Sequence, residues 1–361
     1  MIDPYQFLAS YGWSSSTTYV FNNNVEKKIL RELRIPNPNV TWEVANQSNI
    51  GLDGQIFDGH LNFSFEYFYN KRTNILSYRN ASVPESSGLT LPRENIGEVE
   101  NKGFEFELGY NNSVRDFKYA ISVNGGFAKN KILFWDETPG APEYQKSTGR
   151  PINSSRYYQV IGIFKDQAAV DAYPHWSGAR PGDLIFEDVN KDGAINGLDR
   201  VRMDKTDVPT FTTGANIYLG YKDFYASIFL QGSMGAVRRQ FTWSGEVGNY
   251  LQDDADGRWT PSHTEASKPR AWNWTDDYWT KNPENTYYLR NNDYLRIKTL
   301  EIGYNIPYRI LSKWKFEAIR FYVSGYNLVT FTRVKDFDPE TPTSVSYPPS
   351  KIVNVGINLT F

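Results

Sequence analysis

The last eleven residues, Lys351–Phe361 (KIVNVGINLTF), alternate between apolar side chains and small or polar ones. Because side chains point to opposite faces along a β-strand, this pattern predicts a strand with one apolar face and one largely polar face. Chain ends usually fray, so a long alternating strand that ends on an aromatic residue is unusual. We interpret this stretch as the closing strand of a membrane β-barrel. Its apolar face carries Val353, Val355, Ile357, Leu359 and Phe361.

The composition narrows the class of protein. The 361 residues carry a formal net charge of -2, which argues against a nucleic-acid-binding protein, because such proteins need a basic face for phosphates. The absence of cysteine excludes disulfides, thiolate catalysis and cysteine-ligated zinc. The mean hydropathy is -0.57, and no apolar run approaches the ~20 residues of a transmembrane helix. A transmembrane strand needs only about ten alternating residues, so the composition is compatible with a barrel.

Period-two alternation recurs along most of the chain after residue 38, whereas residues 1–38 are polar and predicted to be loop-like. Short turns at Asp58-Gly59, Ser113–Asp116 and Lys222-Asp223 join neighbouring strands. The alternation slips near Lys298, which predicts a β-bulge there. The predicted spanning strands are residues 42–56, 61–70, 104–111, 117–127, 211–221, 224–232, 294–306 and 319–330, and the terminal barrel strand within residues 347–361.

The connections between these strands alternate between short and long. Outer-membrane barrels have short periplasmic turns and long extracellular loops, whereas a soluble β-sandwich has no reason to sort its connections by length. The alternation holds if Tyr157–Phe164, in the long surface loop 130–209, is not a spanning strand; Asp166–Tyr173 in the same loop is predicted to be a helical turn. We therefore predict an all-β fold, an antiparallel transmembrane β-barrel portion with about nine spanning strands and long extracellular loops. A soluble all-β protein is the alternative.

Several motifs resemble the carboxy-terminal barrel of SusC/RagA-type TonB-linked outer-membrane proteins. They run in family order through nearly the whole chain and include ENIGEVENKGFEFELGY, PGDLIFEDVNKDGAINGLDR, RWTPS, YLRIKTLEIGYNIP, FYVSGYNLVTFT and the terminal KIVNVGINLTF. The resemblance implies a nutrient transporter of Bacteroidetes-type bacteria that lies in the lipid of the cell outer membrane. It also implies import of oligosaccharides or peptides with a SusD-like surface lipoprotein as the lid and the TonB system as the energy source, and no catalysis.

Members of this family have a signal, a TonB-contacting segment, a plug and a barrel of about 22 strands. The chain resembles only the last part of such a protein, so we expect residues 1–361 to be the carboxy-terminal barrel portion without the signal, the plug and the first barrel half. The stretch MIDPYQFLASYGW agrees, because it lacks the basic segment and apolar core of a secretory signal. A sheet of about nine strands with two open edges is expected to aggregate unless the missing half is supplied.

The segment from Asp188 to Asp199 follows the spacing of a calcium-binding loop. Side-chain oxygens at alternate positions, a backbone carbonyl and a sharp turn at Gly193 would provide the oxygen cage that Ca2+ prefers. The closing residue is aspartate instead of the usual glutamate and a strand precedes the loop, so the segment is not an EF-hand. We predict a structural calcium site that rigidifies a surface loop; an Asx-rich turn that binds nothing is the alternative. The predicted ligands are Asp188, Asn190, Asp192, Ala194, Asn196 and Asp199.

Tryptophans are concentrated in the long connections. Because aromatic side chains anchor interfaces, they are candidates for contact with a sugar or with the lipoprotein lid. Packing of the loops against one another, or a place in the outer aromatic girdle, is the alternative. The candidates are Trp176, Trp243, Trp259, Trp272 and Trp274, with Trp135 and Trp279 in the same connections.

Charged residues on the polar faces of the strands are predicted to point into the lumen, where they pair with a plug or line a hydrated wall. They are Glu66, Glu105, Glu107, Lys118 and Glu301. The three histidines show no zinc spacing, and the GxSxG, P-loop and HExxH motifs do not occur. The alternative function, from another class, is that of a secreted calcium-binding β-protein that binds or degrades glycans.

Overall fold

The computed structural model describes residues 7–21, 25–79, 91–240, 251–273, 275–276, 278, 284–311, 316–335, 337–341 and 346–361. The chain forms two compact units. The first contains Met1–Asn49, Phe68–Lys102 and Lys129–Ile152, and the second contains Ile50–Tyr67, Gly103–Ala128 and Asn153–Phe361.

Strands account for most of the regular structure. The strands are β1 (Ser10–Phe21), β2 (Val25–Arg34), β3 (Val44–Ile56), β4 (Leu61–Tyr78), β5 (Arg93–Val114), β6 (Phe117–Phe134), β7 (Arg156–Tyr158), β8 (Val160–Ile163), β9 (Leu184–Phe186), β10 (Arg200–Arg202), β11 (Phe211–Tyr221), β12 (Phe224–Met234), β13 (Val237–Arg239), β14 (Leu289–Asn291), β15 (Tyr294–Asn305), β16 (Ala318–Thr332) and β17 (Ile352–Thr360). Short helices in the described residues are α1 (Gln167–Ala172), α2 (Gln252–Ala255) and α3 (Tyr308–Leu311), with 3-10 turns at Glu143–Gln145, Gly197–Asp199 and Thr286–Tyr288. No helix in these residues is long and apolar enough to cross a membrane.

Nine strands form one sheet in the order β17-β16-β15-β12-β11-β6-β5-β4-β3. Each long strand lies beside the long strand that precedes it in the chain, and the pairs from β6 to β17 are antiparallel. The sheet is therefore an up-and-down meander, and its members are the nine strands that the alternation predicted. The predicted antiparallel β fold is confirmed, and the edges of this sheet are β17 and β3.

Tight turns at one end of the sheet contain residues with a left-handed backbone. Asp58 (φ 55°) and Gly59 (φ 83°) occupy the β3–β4 turn, where the amide of His60 donates to the carbonyl of Phe57 at 3.0 Å. Arg115 (φ 54°) and Lys222 (φ 53°) occupy the corresponding positions in the next two short turns. The left-handed conformation gives a turn whose twist matches that of the flanking strands, so these turns fix the register of each hairpin.

The predicted bulge at Lys298 is present. The pairing of β15 with β16 shifts register between Ile297 and Thr299, and the pairing of β12 with β15 shifts between Phe229 and Leu230. One extra residue on a strand reverses which side chains point to each face. The bulge therefore turns Arg296 and Glu301, which have opposite sequence parity, towards the same polar face.

Two parts of the chain are more regular than predicted. The prediction that residues 1–38 are loop-like was wrong, because Ser10–Phe21 and Val25–Arg34 pair as an antiparallel two-stranded sheet. Register shifts next to Ser10 and after Trp13 interrupt the period-two pattern in this pair, which explains why alternation did not reveal it. Strands β5 and β6 also reach beyond their predicted limits, into the connections expected at residues 79–98 and 130–209.

The two faces of the nine-stranded sheet differ in exposure and packing. On the apolar face of β17, Val355 is 80 % exposed and Phe361 is 89 % exposed, and Val353, Ile357 and Leu359 are exposed as well. On the polar face, tyrosine rings lie across glycines of the neighbouring strand. A Cβ atom added at Gly303 would overlap the ring of Tyr225, and one at Gly356 would overlap the ring of Tyr322. The absence of side chains at these glycines is therefore what allows the rings to lie flat.

The most buried apolar cluster in the described residues lies in the long connections instead of the sheet. We call it the loop core; it consists of Tyr158, Leu184, Phe186, Ile195, Trp272, Tyr278 and Tyr288. Three small antiparallel sheets in these connections, β7 with β10, β8 with β9 and β13 with β14, support it. Tyr157–Phe164 contributes to β7 and β8 and to none of the nine sheet strands. The connections thus fold into a packed layer of their own.

Candidate functional site

Three of the glutamates predicted to point inward lie together on the polar face of the sheet. Glu66 on β4 and Glu105 and Glu107 on β5 line a concavity of about 880 Å3. The lining continues on β6, β11 and β12 with Asn124, Thr212 and Gln231. The concavity is therefore polar, and its carboxylates are concentrated on the β4–β5 side.

The other two predicted inward charges lie nearer the short-turn end of the same face. Glu301 on β15 accepts a hydrogen bond from the Tyr225 hydroxyl at 2.6 Å. Lys118 on β6 pairs in register with Gly220 on β11. The polar face thus carries ionisable groups along much of its length, as expected of a wall that faces water and not lipid.

An ion cluster joins the sheet to the connection between β16 and β17. We call it the Arg296 cluster; its members are Tyr294, Arg296, Lys298, Asp338 and Glu340. Arg296 is fully buried, and its guanidinium donates to Asp338 Oδ2 at 2.5 Å and to Glu340 Oε2. Lys298 Nζ lies 3.0 Å from Glu340 Oε2, and the Tyr294 hydroxyl donates to Glu340 Oε1 at 3.0 Å. Because the buried guanidinium and both carboxylates have partners of opposite charge, the free-energy cost of removing these charges from water is compensated.

Glu340 is held in its ionised form. Burial by itself would raise the pKa of Glu340, but hydrogen bonds from Lys298 and Tyr294 and the charge of Arg296 outweigh it, so the pKa lies below its ordinary value. A depressed folded-state pKa contributes stability above the unfolded-state pKa, and this contribution is lost as the pH falls through the folded-state pKa. The cluster therefore fastens Asp338–Thr341 to the polar face at neutral pH.

The three predicted contact tryptophans that the structure describes are packed within the loops. Trp176 lies against the loop core, with its ring centroid 4.9 Å from those of both Tyr158 and Phe186. Trp272 belongs to the loop core itself. The Trp259 indole Nε1 donates to the carbonyl of Lys165 at 3.1 Å. Their contacts are those of packing side chains, as in the alternative interpretation. Trp243, Trp274 and Trp279 lie outside the described residues.

The PGDLIF motif lies against Trp259 and contributes Asp183 to a second ion cluster. Asp183 is fully buried, and its carboxylate lies 2.7 Å from Arg270 Nε. Arg270 Nη2 also contacts Asp276 Oδ2 at 2.6 Å. Burial opposes the charge of Arg270, but the two carboxylates outweigh it and raise its pKa. Gly182 has φ +91°, and a Cβ atom there would meet the Trp259 ring, so the motif requires glycine at this corner.

The predicted calcium ligands lie in one turn with many internal hydrogen bonds. The Asp188 carboxylate accepts from the amides of Asp192 and Gly193 at 3.2 and 2.9 Å. Asp192 Oδ1 accepts from the amide of Ala194 at 2.8 Å, and Asn190 donates to Asp192 Oδ2 at 2.8 Å. These contacts lower the pKa of Asp192. No group of three acidic, histidine or cysteine side chains spaced for a metal ion occurs among the described residues.

Asn196 and Asp199 close the same turn. The Asp199 carboxylate is fully buried and accepts from the amides of Val189 and Asn196 at 2.9 and 2.7 Å. Asn196 Oδ1 accepts from the amide of Leu198 at 2.8 Å. The turn therefore brings all six predicted ligands into one compact segment, and backbone amides occupy part of their acceptor capacity.

Sequence reasoning missed both ion clusters. In YLRIK, Lys298 is the bulge residue and Arg296 lies two residues before it, so the sequence showed two cations at a register shift. It could not show that Asp338 and Glu340 meet them, since this contact depends on the path of the whole β16–β17 connection. The same holds for Arg270 and Asp183, which lie in different long connections, whereas Asp276 is only six residues from Arg270.

Comparison with known proteins agrees with this architecture. The family described as TonB dependent receptor-like, beta-barrel matches residues 3–328. TonB-dependent receptor P3 of Formosa agariphila is 31 % identical over 392 aligned residues, which cover 100 % of this chain and 38 % of that receptor. TonB-dependent receptor P26 of the same organism is 27 % identical, with 100 % and 38 % coverage. The RagAB peptide importer in its open-open state has a similar fold, with a TM-score of 0.69, 22 % identity, and coverage of 100 % of this chain and 38 % of that one.

The chain belongs to the TonB-dependent receptor β-barrel family. It is an outer-membrane β-barrel protein, so the apolar face of the sheet faces lipid and the polar face lines the barrel interior. The predicted resemblance to SusC/RagA-type receptors is confirmed. The chain spans 38 % of the length of each of the two curated receptors described above.

Proposed function

We propose that this chain supplies barrel wall and surface loops to a TonB-dependent importer of oligosaccharides or peptides that works with a SusD-like surface lipoprotein. The observation that carries the proposal is the sheet itself, which has an exposed apolar face and an opposite face lined by carboxylates and amides. Such a wall separates lipid from a hydrated conduit. The similar fold of the RagAB peptide importer supports the proposal.

In this importer the lipoprotein delivers the substrate, TonB provides the energy, and the barrel is the conduit. The residues of this chain bind and guide substrate and perform no covalent chemistry, in keeping with a family of receptors and transporters. The packed loop layer provides a stable surface on the outer side. A secreted glycan-binding or glycan-degrading protein is disfavoured, because the exposed apolar side chains of β17 would then contact water.

Cell fractionation and uptake test the proposed function. We expect the protein to be recovered from the outer-membrane fraction only after detergent extraction. Deletion of its gene is expected to abolish energised uptake of one labelled oligosaccharide or peptide, and deletion of the gene for the proposed SusD-like lipoprotein is expected to impair the same uptake. Recovery of the protein as a soluble monomer would contradict the transporter assignment.

We further propose that the Asp188–Asp199 turn binds Ca2+ and that the ion rigidifies this loop. Its closely placed carboxylate and amide oxygens support the proposal, because calcium prefers an oxygen cage. Calcium at 100 times its dissociation constant would stabilise the bound form by about 2.7 kcal/mol. We therefore expect EGTA to make this loop sensitive to protease in the purified receptor, and added Ca2+ to reverse the effect.

Substitution separates this effect from general chelation. Asp188→Ala and Asp192→Ala should each remove the protection by Ca2+. Asp171→Ala, which removes an exposed carboxylate from α1, should retain it. Equal protease sensitivity with and without Ca2+ in the unsubstituted receptor would contradict a calcium site.

A further inference from the structure

A second cavity lies among the loops. It has a volume of about 420 Å3 and is walled by parts of the β6–β7 and β10–β11 connections, of β7 and of β13, together with Leu289. Its size lies within the usual range for small-molecule sites. It shares no lining residue with the concavity on the polar face of the sheet. It is therefore a separate compartment within the loop layer.

Backbone hydrogen bonds hold the walls of this cavity together. The amide of Val237 donates to the carbonyl of Thr206 at 2.8 Å, and the amide of Met203 donates to the carbonyl of Ser155 at 3.0 Å. Pairing of β13 with β14 places Arg239 opposite Leu289. Segments distant in sequence are thus joined by regular hydrogen bonds, so the cavity is preformed.

Among the charged residues that line the cavity, cations outnumber carboxylates. Lys205, Arg238 and Arg239 line it, and the one carboxylate in its lining is that of Asp207. Arg239 lies opposite the lining residue Leu289, whereas the neighbouring Arg238 belongs to the other face of β13 and donates to the backbone carbonyls of Pro339 and Thr341. A guanidinium and a nearby ammonium in a concave site favour an anion with several oxygen acceptors.

Hydroxyl groups complement these cations. Ser155, Tyr157 and Thr206 also line the cavity, and each can donate to an oxyanion or accept from a sugar hydroxyl. A few polar groups that converge in a preformed cavity are the usual determinants of specificity in small-molecule sites. The donor set thus suits an oxyanion attached to a polar molecule.

We propose that this cavity binds an oxyanion group, a carboxylate or a sulfate, of the imported substrate. The proposal rests on the proposed function and narrows its substrate to anionic molecules. Lys205 and Arg239 supply charge, and the hydroxyls contact the neighbouring polar groups of the anion. The loop layer therefore selects substrates by charge before they enter the barrel.

Titration calorimetry on the complete receptor in detergent tests the site. The probes are sodium sulfate, sodium D-glucuronate and, as the neutral comparison, D-glucose. We expect one or both anions to bind and glucose not to bind. Binding of sulfate alone would identify the sulfate ester as the preferred group, and binding of glucuronate alone would identify the carboxylate.

Charge substitutions locate the binding. Lys205→Gln and Arg239→Gln should each weaken binding of the anion by about tenfold, because each removes a charge-assisted hydrogen bond. Lys165→Gln removes the same charge at an exposed loop ion pair with Glu265 and should leave the affinity unchanged. A selenate soak of receptor crystals should give an anomalous peak in the cavity that disappears in Lys205→Gln.

Absence of binding by both anions, or equal affinities in Lys205→Gln, Arg239→Gln and Lys165→Gln, would overturn the proposal. Neither result bears on outer-membrane fractionation or on lipoprotein-dependent uptake. A receptor that imports a neutral substrate would therefore fail this test while the proposed function stands.

Discussion

Arg296→Met is expected to lower the free energy of unfolding of the receptor by about 3 kcal/mol, because it removes the buried one of the two cations that pair with Asp338 and Glu340. Arg296 is fully buried, and it contacts both Asp338 and Glu340. Lys298 remains 3.0 Å from Glu340 in the variant and retains part of the compensation, which places the loss at the lower end of the range for buried pairs. Urea titration of the detergent-purified receptor, monitored by tryptophan fluorescence, measures the change.

A matched control uses an exposed ion pair of the same sheet. Lys71 and Glu98 lie 2.9 Å apart with side chains 36 % and 38 % exposed. Lys71→Met should therefore cost less than about 1 kcal/mol. The triple change Arg296→Met, Asp338→Asn and Glu340→Gln should recover part of the loss, since it leaves no unpaired buried charge. Equal effects of Arg296→Met and Lys71→Met would show that the cluster does not fasten the connection.

The second large effect is expected for the 361-residue polypeptide produced by itself. In the nine-stranded sheet β17 and β3 are edge strands, and the backbone groups on their outer sides have no partner strand within that sheet. Unpaired backbone groups in hydrocarbon cost several kcal/mol each, and open edges promote association between chains. We expect this polypeptide to aggregate on refolding into detergent micelles, as measured by size-exclusion chromatography.

The complete receptor serves as the comparison under identical refolding conditions. It should give a folded monomer that resists SDS at room temperature and shifts in mobility after boiling. Co-refolding the 361-residue polypeptide with the rest of the receptor should increase its soluble yield. A stable, folded monomer of the polypeptide alone in detergent would refute the prediction.

Much of the sheet could be predicted from sequence because its determinants are local. A strand with one face towards lipid must alternate, so KIVNVGINLTF reveals both the strand and its orientation. The left-handed turn at Asp58-Gly59 and the slip at Lys298 are also visible within a few residues. The β1–β2 pair was not predicted, because its register shifts interrupt the alternation on which the prediction depends.

The candidate sites could not be predicted to the same degree, because they depend on contacts between distant segments. Trp176 contacts loop-core residues from two different connections, Phe186 in one and Tyr278 in the other. The number of aromatic residues in the loops did not by itself distinguish packing from ligand contact. Arg296 and Glu340 meet across the β16–β17 connection. Arg239 and Lys205 line one cavity because the Val237 amide bonds the Thr206 carbonyl and so joins two segments that are distant in sequence. The long connections have the amino-acid composition of loops, so their composition does not reveal that they fold into a packed layer.

The tyrosines that lie across glycines on the polar face have a geometric consequence for the proposed conduit. Tyr225 and Tyr322 lie flat over these glycines, so in the proposed conduit each would narrow the passage by the thickness of a ring and not by the length of a side chain. A molecule or chain segment that slides past this zone therefore meets smooth aromatic faces. A side chain at Gly303 or Gly356 would displace the ring that lies over it. In the proposed conduit, these two glycines therefore keep the rings from projecting into the passage.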